Sequence, residues 1–151
     1  WYLRNTYLEN KLREPGGTQM CGMPMDLGEI DVPAYLYASR EDHIVPWKSA
    51  YLSRDLLGGE TTFVLGASGH IAGVINSPAK VKRNYWTSSS TSDDAEQWLA
   101  SAQSVPGSWW PDWSKWLVRY AGAQAAKPKT LGNKRYKPIE PAPGRYVKAK
   151  A

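Results

Sequence analysis

The sequence predicts an α/β fold built on a buried parallel sheet, and three observations carry that expectation. Two runs of strand length, Ala34-Tyr35-Leu36-Tyr37-Ala38 and Thr61-Thr62-Phe63-Val64-Leu65, lack the strict alternation of a half-wetted strand, which is how a strand covered on both faces reads. Between them lies a segment of helical length, from Pro46 to Gly58-Gly59. Strand, helix and strand in that order imply a right-handed βαβ unit.

Ahead of that unit, Tyr2, Leu3, Tyr7, Leu8 and Leu12 recur at roughly helical spacing and stop before Glu14-Pro15-Gly16-Gly17, so a helix is expected over residues 1–12. The first strand follows Asp31 and Pro33 and delivers Asp42 just beyond its carboxyl end. The next helix is expected from near Pro46 to Leu57, with Gly58-Gly59 supplying the left-handed C-terminal residue and Trp47, Tyr51 and Leu52 as its buried face. The second strand is rich in β-branched residues, which suit a pleated surface. Gly66 to Gly73 then forms a turn of small residues around His70.

Residues 76–92 read as a polar loop, ending in Ser88-Ser89-Ser90. A helix is expected from Thr91 or Ser92 to about Gln103, with Asp93 and Asp94 in its first turn against the positive end of the helix dipole. In the last helix Ser108 reads as the N-cap, Pro111 is tolerated in the first turn, and Trp109, Trp113, Trp116 and Tyr120 recur at helical spacing. Only two convincing core strands are too few for a covered parallel sheet, and the chain starts at Trp1. The sheet is therefore expected to be incomplete and the chain to be the C-terminal piece of a longer protein.

Composition narrows the function classes. A length of 151 residues and a hydrophobic content of 42% suit one globular domain. A single cysteine excludes an internal disulfide framework and points to a reducing, cytoplasmic setting. No run approaches the ~18 apolar residues needed to cross a bilayer, so no transmembrane segment is expected and membrane contact would be peripheral. The net charge of +5 is uneven: residues 127–151 carry eight Lys and Arg against Glu140 alone. Four prolines interrupt that stretch, so it cannot be one helix. Residues 1–126 are thus expected to form part of a catalytic domain and 127–151 a basic, proline-containing tail. No recognition motif accompanies the charge, and no nucleic acid is expected as a partner.

Asp42 and His70 are the candidate chemistry. An aspartate after one buried strand and a histidine after the next, 28 residues on, is how α/β-hydrolase folds order the last two members of a catalytic triad. Carboxyl ends of adjacent parallel strands are also where open α/β sheets place their sites. An aspartate accepting from Nδ1 fixes the imidazole tautomer and leaves Nε2 free to take a proton from a nucleophile or a substrate hydroxyl. His43 sits beside Asp42 in sequence and cannot easily face the same carboxylate, so it is expected to line the pocket or bond locally. A nucleophile elbow needs small residues two places either side of the nucleophile. Cys21, flanked at those positions by Gln19 and Met23, does not fit and reads as a structural thiol. Six of the eight tryptophans fall between Trp86 and Trp116, where packing of the last helices onto the sheet is their expected work.

Five blocks carry a more specific resemblance: Arg4-Asn5-Thr6-Tyr7-Leu8-Glu9-Asn10, Ser39-Arg40-Glu41-Asp42-His43-Ile44-Val45-Pro46-Trp47, Val64-Leu65-Gly66-Ala67-Ser68-Gly69-His70-Ile71-Ala72-Gly73, Gly107-Ser108-Trp109-Trp110-Pro111-Asp112-Trp113 and Ile139-Glu140-Pro141-Ala142-Pro143-Gly144-Arg145-Tyr146-Val147. Together and in this order they resemble the C-terminal part of class I poly(3-hydroxyalkanoate) synthases. The resemblance implies the C-terminal part of an α/β-hydrolase fold and an acyltransferase that polymerises (R)-3-hydroxyacyl-CoA into storage polyester, releasing coenzyme A. It implies a Cys-His-Asp triad in which Asp42 and His70 match two members, while Cys21 matches a non-catalytic position and the Gly-x-Cys-x-Gly box is not in this chain. It further implies no cofactor beyond the coenzyme A thioester substrate, a homodimer as the active form, a growing polyester chain as partner, and a place at the surface of cytoplasmic storage granules.

Two other functions fit parts of the sequence. Another α/β-hydrolase, an esterase or lipase, would share the Asp-strand-His layout but not the tryptophan block or the tail motif. A non-enzymatic module could use the tryptophans and the basic tail to bind a granule surface.

Overall fold

The computed structural model describes residues 1–150, and Ala151, the last residue of the expected tail, lies outside the described residues. Residues 1–120 form one unit and the residues from Ala121 onward a second. In the first, β1 (Gln19–Met20) and β2 (Met23–Pro24) make a short antiparallel hairpin. Its two-residue turn, Cys21-Gly22, has positive φ at both positions, 50° and 79°, as a type I′ turn requires. Then follow β3 (Ala34–Ser39), α1 (Trp47–Leu52), β4 (Thr61–Gly66), β5 (Asn84–Thr87), α2 (Ala95–Ser101), β6 (Gln103–Pro106) and α3 (Trp110–Val118).

The main sheet has the order β3-β4-β5-β6. β3 and β4 are parallel, with Ser39 opposite Gly66, whereas β5 and β6 are added antiparallel. The α/β class is as expected and the wholly parallel sheet is not. β5 lies inside the segment read as a polar loop, and only Tyr85 in it is buried. β6 is an edge strand with a single apolar residue, Val105, before Pro106. An edge strand needs little apolar surface and accepts proline where no ladder N–H is required, so hydrophobic pattern does not mark it.

Alternation assigns the two faces of the sheet. Leu36 and Ala38 on β3, Phe63 and Leu65 on β4 and Trp86 on β5 face Trp47, Ala50 and Tyr51 of α1 and Ala95, Trp98 and Leu99 of α2. At the centre, the Trp98 and Tyr51 rings lie 5.0 Å from that of Phe63, both edge-on. On the opposite face Tyr35 and Tyr37 of β3 meet tryptophans of the last helix: Trp109 stacks on Tyr37 at 4.3 Å and Trp116 lies 5.5 Å from Tyr35. The Tyr35 hydroxyl donates to Asp112 at 2.9 Å, tying the first turn of α3 to the sheet. The expected packing role of the tryptophans therefore holds for Trp98, Trp109 and Trp116.

Several local expectations are corrected. Residues 1–12 form a π-helical turn, Arg4–Leu8, and a 3₁₀ turn, Lys11–Arg13; Tyr2, Leu3, Tyr7 and Leu8 are exposed, so no packing sustains a full helix. α1 ends at Leu52, which is exposed, and continues as a 3₁₀ turn over Ser53–Leu56. Gly58 and Gly59 are not left-handed. Their reason is close approach, since a Cβ on Gly58 would collide with the Gly28 carbonyl and one on Gly59 with the Val32 and Asp31 carbonyls. Asp94 caps α2 by accepting from the Gln97 N–H at 2.8 Å, so the helix starts later than expected. The N-cap of α3 is Trp109 rather than the expected Ser108, whose hydroxyl accepts from the Trp110 backbone N–H at 3.2 Å.

In the second unit Asn133 Oδ1 accepts from the N–H groups of Arg135 and Tyr136, and Arg145 pairs with Glu140 at 3.2 Å. A 3₁₀ turn spans Tyr146–Lys148.

Candidate functional site

The parallel pairing of β3 and β4 brings their exit loops side by side, and the backbone laces them together. The Arg40 N–H donates to the Gly66 carbonyl at 2.8 Å and the Glu41 N–H to that of Ser68 at 3.1 Å. Asp42 is turned inward by its own loop: Oδ1 accepts from the N–H groups of Ile44 at 2.8 Å and Val45 at 3.0 Å, an Asx turn. Its second oxygen, Oδ2, is left for His70, whose Nδ1 stands 2.7 Å away. The sequence had placed these residues after adjacent strands; the fold brings the side chains into contact.

The pair is asymmetric in its exposure. The Asp42 side chain is 9% accessible and that of His70 is 45%. The Val45 N–H above all, with His70 and the Ile44 N–H, outweighs the cost of desolvation and pushes the Asp42 carboxyl down from 3.8 to about 2. A carboxylate can only accept, so in the neutral imidazole Nδ1 carries the proton and Nε2 the free lone pair. Among the described residues Nε2 makes no hydrogen bond. The arrangement can accept a proton at Nε2 and stabilise the resulting cation through Asp42.

The depressed carboxyl has a stability consequence. A group whose folded value lies below its unfolded one stabilises the fold fully above the unfolded value, and that contribution fades as pH falls through the folded one. Asp42 should therefore add acid resistance that is complete above about pH 4 and is lost towards pH 2. Asp42→Asn is expected to flatten the dependence of stability on pH in that window, measured by denaturant unfolding followed through tryptophan fluorescence; an unaltered slope would contradict the coupling.

Asp42 and His70 border a cavity of about 160 Å³ with Tyr37, Ala38, Ser39, Val45, Ala50 and Val74. His43 is exposed and is not among these lining residues. Tyr37 and Ser39 went unmarked in the sequence, though their alternation along β3 puts both on the face opposite Leu36 and Ala38; their hydroxyls lie 3.1 Å apart. Cys21 is solvent-exposed at the hairpin tip and so has no packing role. A larger groove of about 600 Å³, between Leu12, Leu27 and Leu56, touches neither Asp42 nor His70. Among the described residues no three His, Cys, Asp or Glu side chains are grouped as metal ligands.

No family model matches the chain. Known proteins do. Over all 151 residues it is 62% identical to the poly(3-hydroxyalkanoate) polymerase subunit PhaC of Cupriavidus necator and 44% identical to that of Rhizobium meliloti. This chain is related to the poly(3-hydroxyalkanoate) polymerases. A third relative, poly(3-hydroxyalkanoate) polymerase 2 of Ectopseudomonas oleovorans, is 42% identical over 138 residues, or 91% of the chain. The chain spans about a quarter of the length of these polymerases, 26%, 24% and 25% respectively. The family resemblance carried by the five sequence blocks is thereby borne out. No helix among the described residues is long and apolar enough to cross a membrane.

Proposed function

We propose that this chain is the C-terminal part of the catalytic domain of a class I poly(3-hydroxyalkanoate) synthase, an α/β-hydrolase fold, and supplies the general base His70 and its orienting acid Asp42. The observation that carries the reading is the 2.7 Å contact between His70 Nδ1 and Asp42 Oδ2 in a chain 62% identical to such a polymerase. The substrate is an (R)-3-hydroxyacyl-CoA and the product a polyester with free coenzyme A.

The reaction runs in two transfers. A cysteine thiol outside residues 1–151 gives its proton to His70 Nε2 and attacks the thioester carbonyl; the C–S bond to coenzyme A breaks and the leaving thiolate takes that proton. His70 then removes the proton from the 3-hydroxyl of the next unit. The alkoxide attacks the acyl-cysteine carbonyl, the new ester forms, and the cysteine leaves as a thiol after regaining the proton. Asp42 keeps Nδ1 protonated throughout and stabilises the transient imidazolium. Dimerisation and residence at the surface of cytoplasmic granules belong to the same proposal, as does the absence of any cofactor beyond the thioester substrate.

The test uses 3-hydroxybutyryl-CoA and measures coenzyme A release. Residues 1–151 alone are expected to release none, and Cys21→Ala in the complete polymerase to leave the rate within about twofold of wild type, since Cys21 is at an exposed hairpin tip. Turnover by the purified segment alone, or its loss on replacing Cys21, would overturn the assignment.

A further inference from the structure

The loop that carries His70 has almost no apolar anchor of its own. Ile71, Val74 and Ile75 are exposed, and its buried positions are Gly73 and, at its far end, Asn76; a surface loop with so few buried side chains opens locally at little cost. Its backbone is nevertheless wound into overlapping turns: the Gly73 N–H donates to the Gly69 carbonyl at 2.9 Å and the Ile75 N–H to that of Ile71 at 3.1 Å. These turns link residues 69–75, so a contact that holds one end bears on the imidazole at the other.

Two adjacent tryptophans hold it. The indole Nε1–H of Trp110 donates to the Val74 carbonyl at 2.8 Å, and that of Trp109 to the Gly73 carbonyl at 3.3 Å. Trp109 is fixed against the sheet by its stack on Tyr37 at 4.3 Å, and the Trp110 N–H by the buried Ser108 hydroxyl at 3.2 Å. Gly73 completes the seat, because a Cβ there would collide with the Ser39 hydroxyl at the end of β3. Successive residues of α3 and its cap thus reach successive carbonyls of the His70 loop. Packing alone does not call for this, since Trp110 is 40% exposed.

We infer that Trp109 and Trp110 are positioning residues for His70: their paired indole N–H groups clamp residues 69–75 and hold the imidazole on Asp42. The inference rests on the polymerase reading for its effect on turnover, but the clamp has a readout of its own.

Trp109→Phe, Trp110→Phe and the double variant of the complete polymerase keep the rings and delete only the donors; His70→Ala is the control. Hydrogen exchange of the Gly73 and Ile75 amides should quicken about tenfold in the double variant, with that of residues 61–66 unchanged. The kcat should fall between about tenfold and about a hundredfold, with KM moved less than about twofold, as a loosened geometry predicts. Trp110→Phe alone, at a half-exposed position, should show the same direction without a folding defect. Unchanged exchange in the loop overturns the clamp whatever the activity. Faster exchange with normal kcat, while His70→Ala is inactive, overturns the positioning role. A fully active His70→Ala polymerase instead overturns the proposed function, and exchange alone then decides whether the clamp exists.

Discussion

His70→Ala in the complete polymerase should lower coenzyme A release from 3-hydroxybutyryl-CoA by about 10²–10⁴-fold, the usual worth of a positioned acid-base group. The proposed mechanism has this residue take a proton twice per added unit, once from the nucleophile and once from the incoming hydroxyl, and among the described residues no other side chain reaches Asp42. Stability should hardly change. The His70 side chain is nearly half exposed, and Asp42 keeps its bonds to the Ile44 and Val45 N–H groups when the imidazole is gone, so the cost should stay within about 0.5 kcal/mol. A variant that folds normally and polymerises at near wild-type rate would refute the role of His70. One that fails to fold would show that the loop is structural instead.

Trp98→Ala should have the largest effect on folding, a loss of about 3–5 kcal/mol. The side chain is 1% exposed and lies against both Tyr51 and Phe63, so truncation opens a void between the sheet and both helices on that face. The neighbours cannot readily close it. Tyr51 is held by its hydroxyl on the Ser92 carbonyl and by the Arg54 guanidinium over its ring at 4.3 Å, and Phe63 belongs to β4, one of the two inner strands. A domain stabilised by about 5–15 kcal/mol would lose much of its margin. Val118→Ala, at a position 70% exposed on α3, should cost less than about 0.5 kcal/mol. Chemical denaturation of both variants in the complete polymerase checks the contrast; equal midpoints would mean that the Trp98 cluster is not the core.

How far the fold could be read in advance depended on burial. Ala34–Ser39 and Thr61–Gly66 announced themselves because a strand covered on both sides must be apolar almost continuously. Asn84–Thr87 and Gln103–Pro106 did not, since strand pairing rather than side-chain burial fixes their backbone and Tyr85 is the one buried residue among them. Residues 1–12 failed in the opposite sense. Their apolar rhythm suggested a helix, yet with nothing packed on that stripe only two short turns form. The Asp42-His70 pair was legible from strand order, whereas the indole contacts to Gly73 and Val74 join positions 36 residues apart and leave no local pattern.

By itself, the sequence determined the α/β class, the βαβ core, the resemblance to poly(3-hydroxyalkanoate) polymerases and the two residues that meet at the strand ends. These follow from local pattern: apolar runs set by strand burial, turn residues at strand ends, and blocks of identity that need no coordinates. Tertiary structure alone decided that β5 and β6 run antiparallel, that His43 turns to solvent while Tyr37 and Ser39 line the cavity, and that Asp42 divides its two oxygens between its own loop and His70. Each of these depends on which surfaces meet after the chain has folded, and such contacts between distant residues are invisible to any rule that reads a few neighbours at a time.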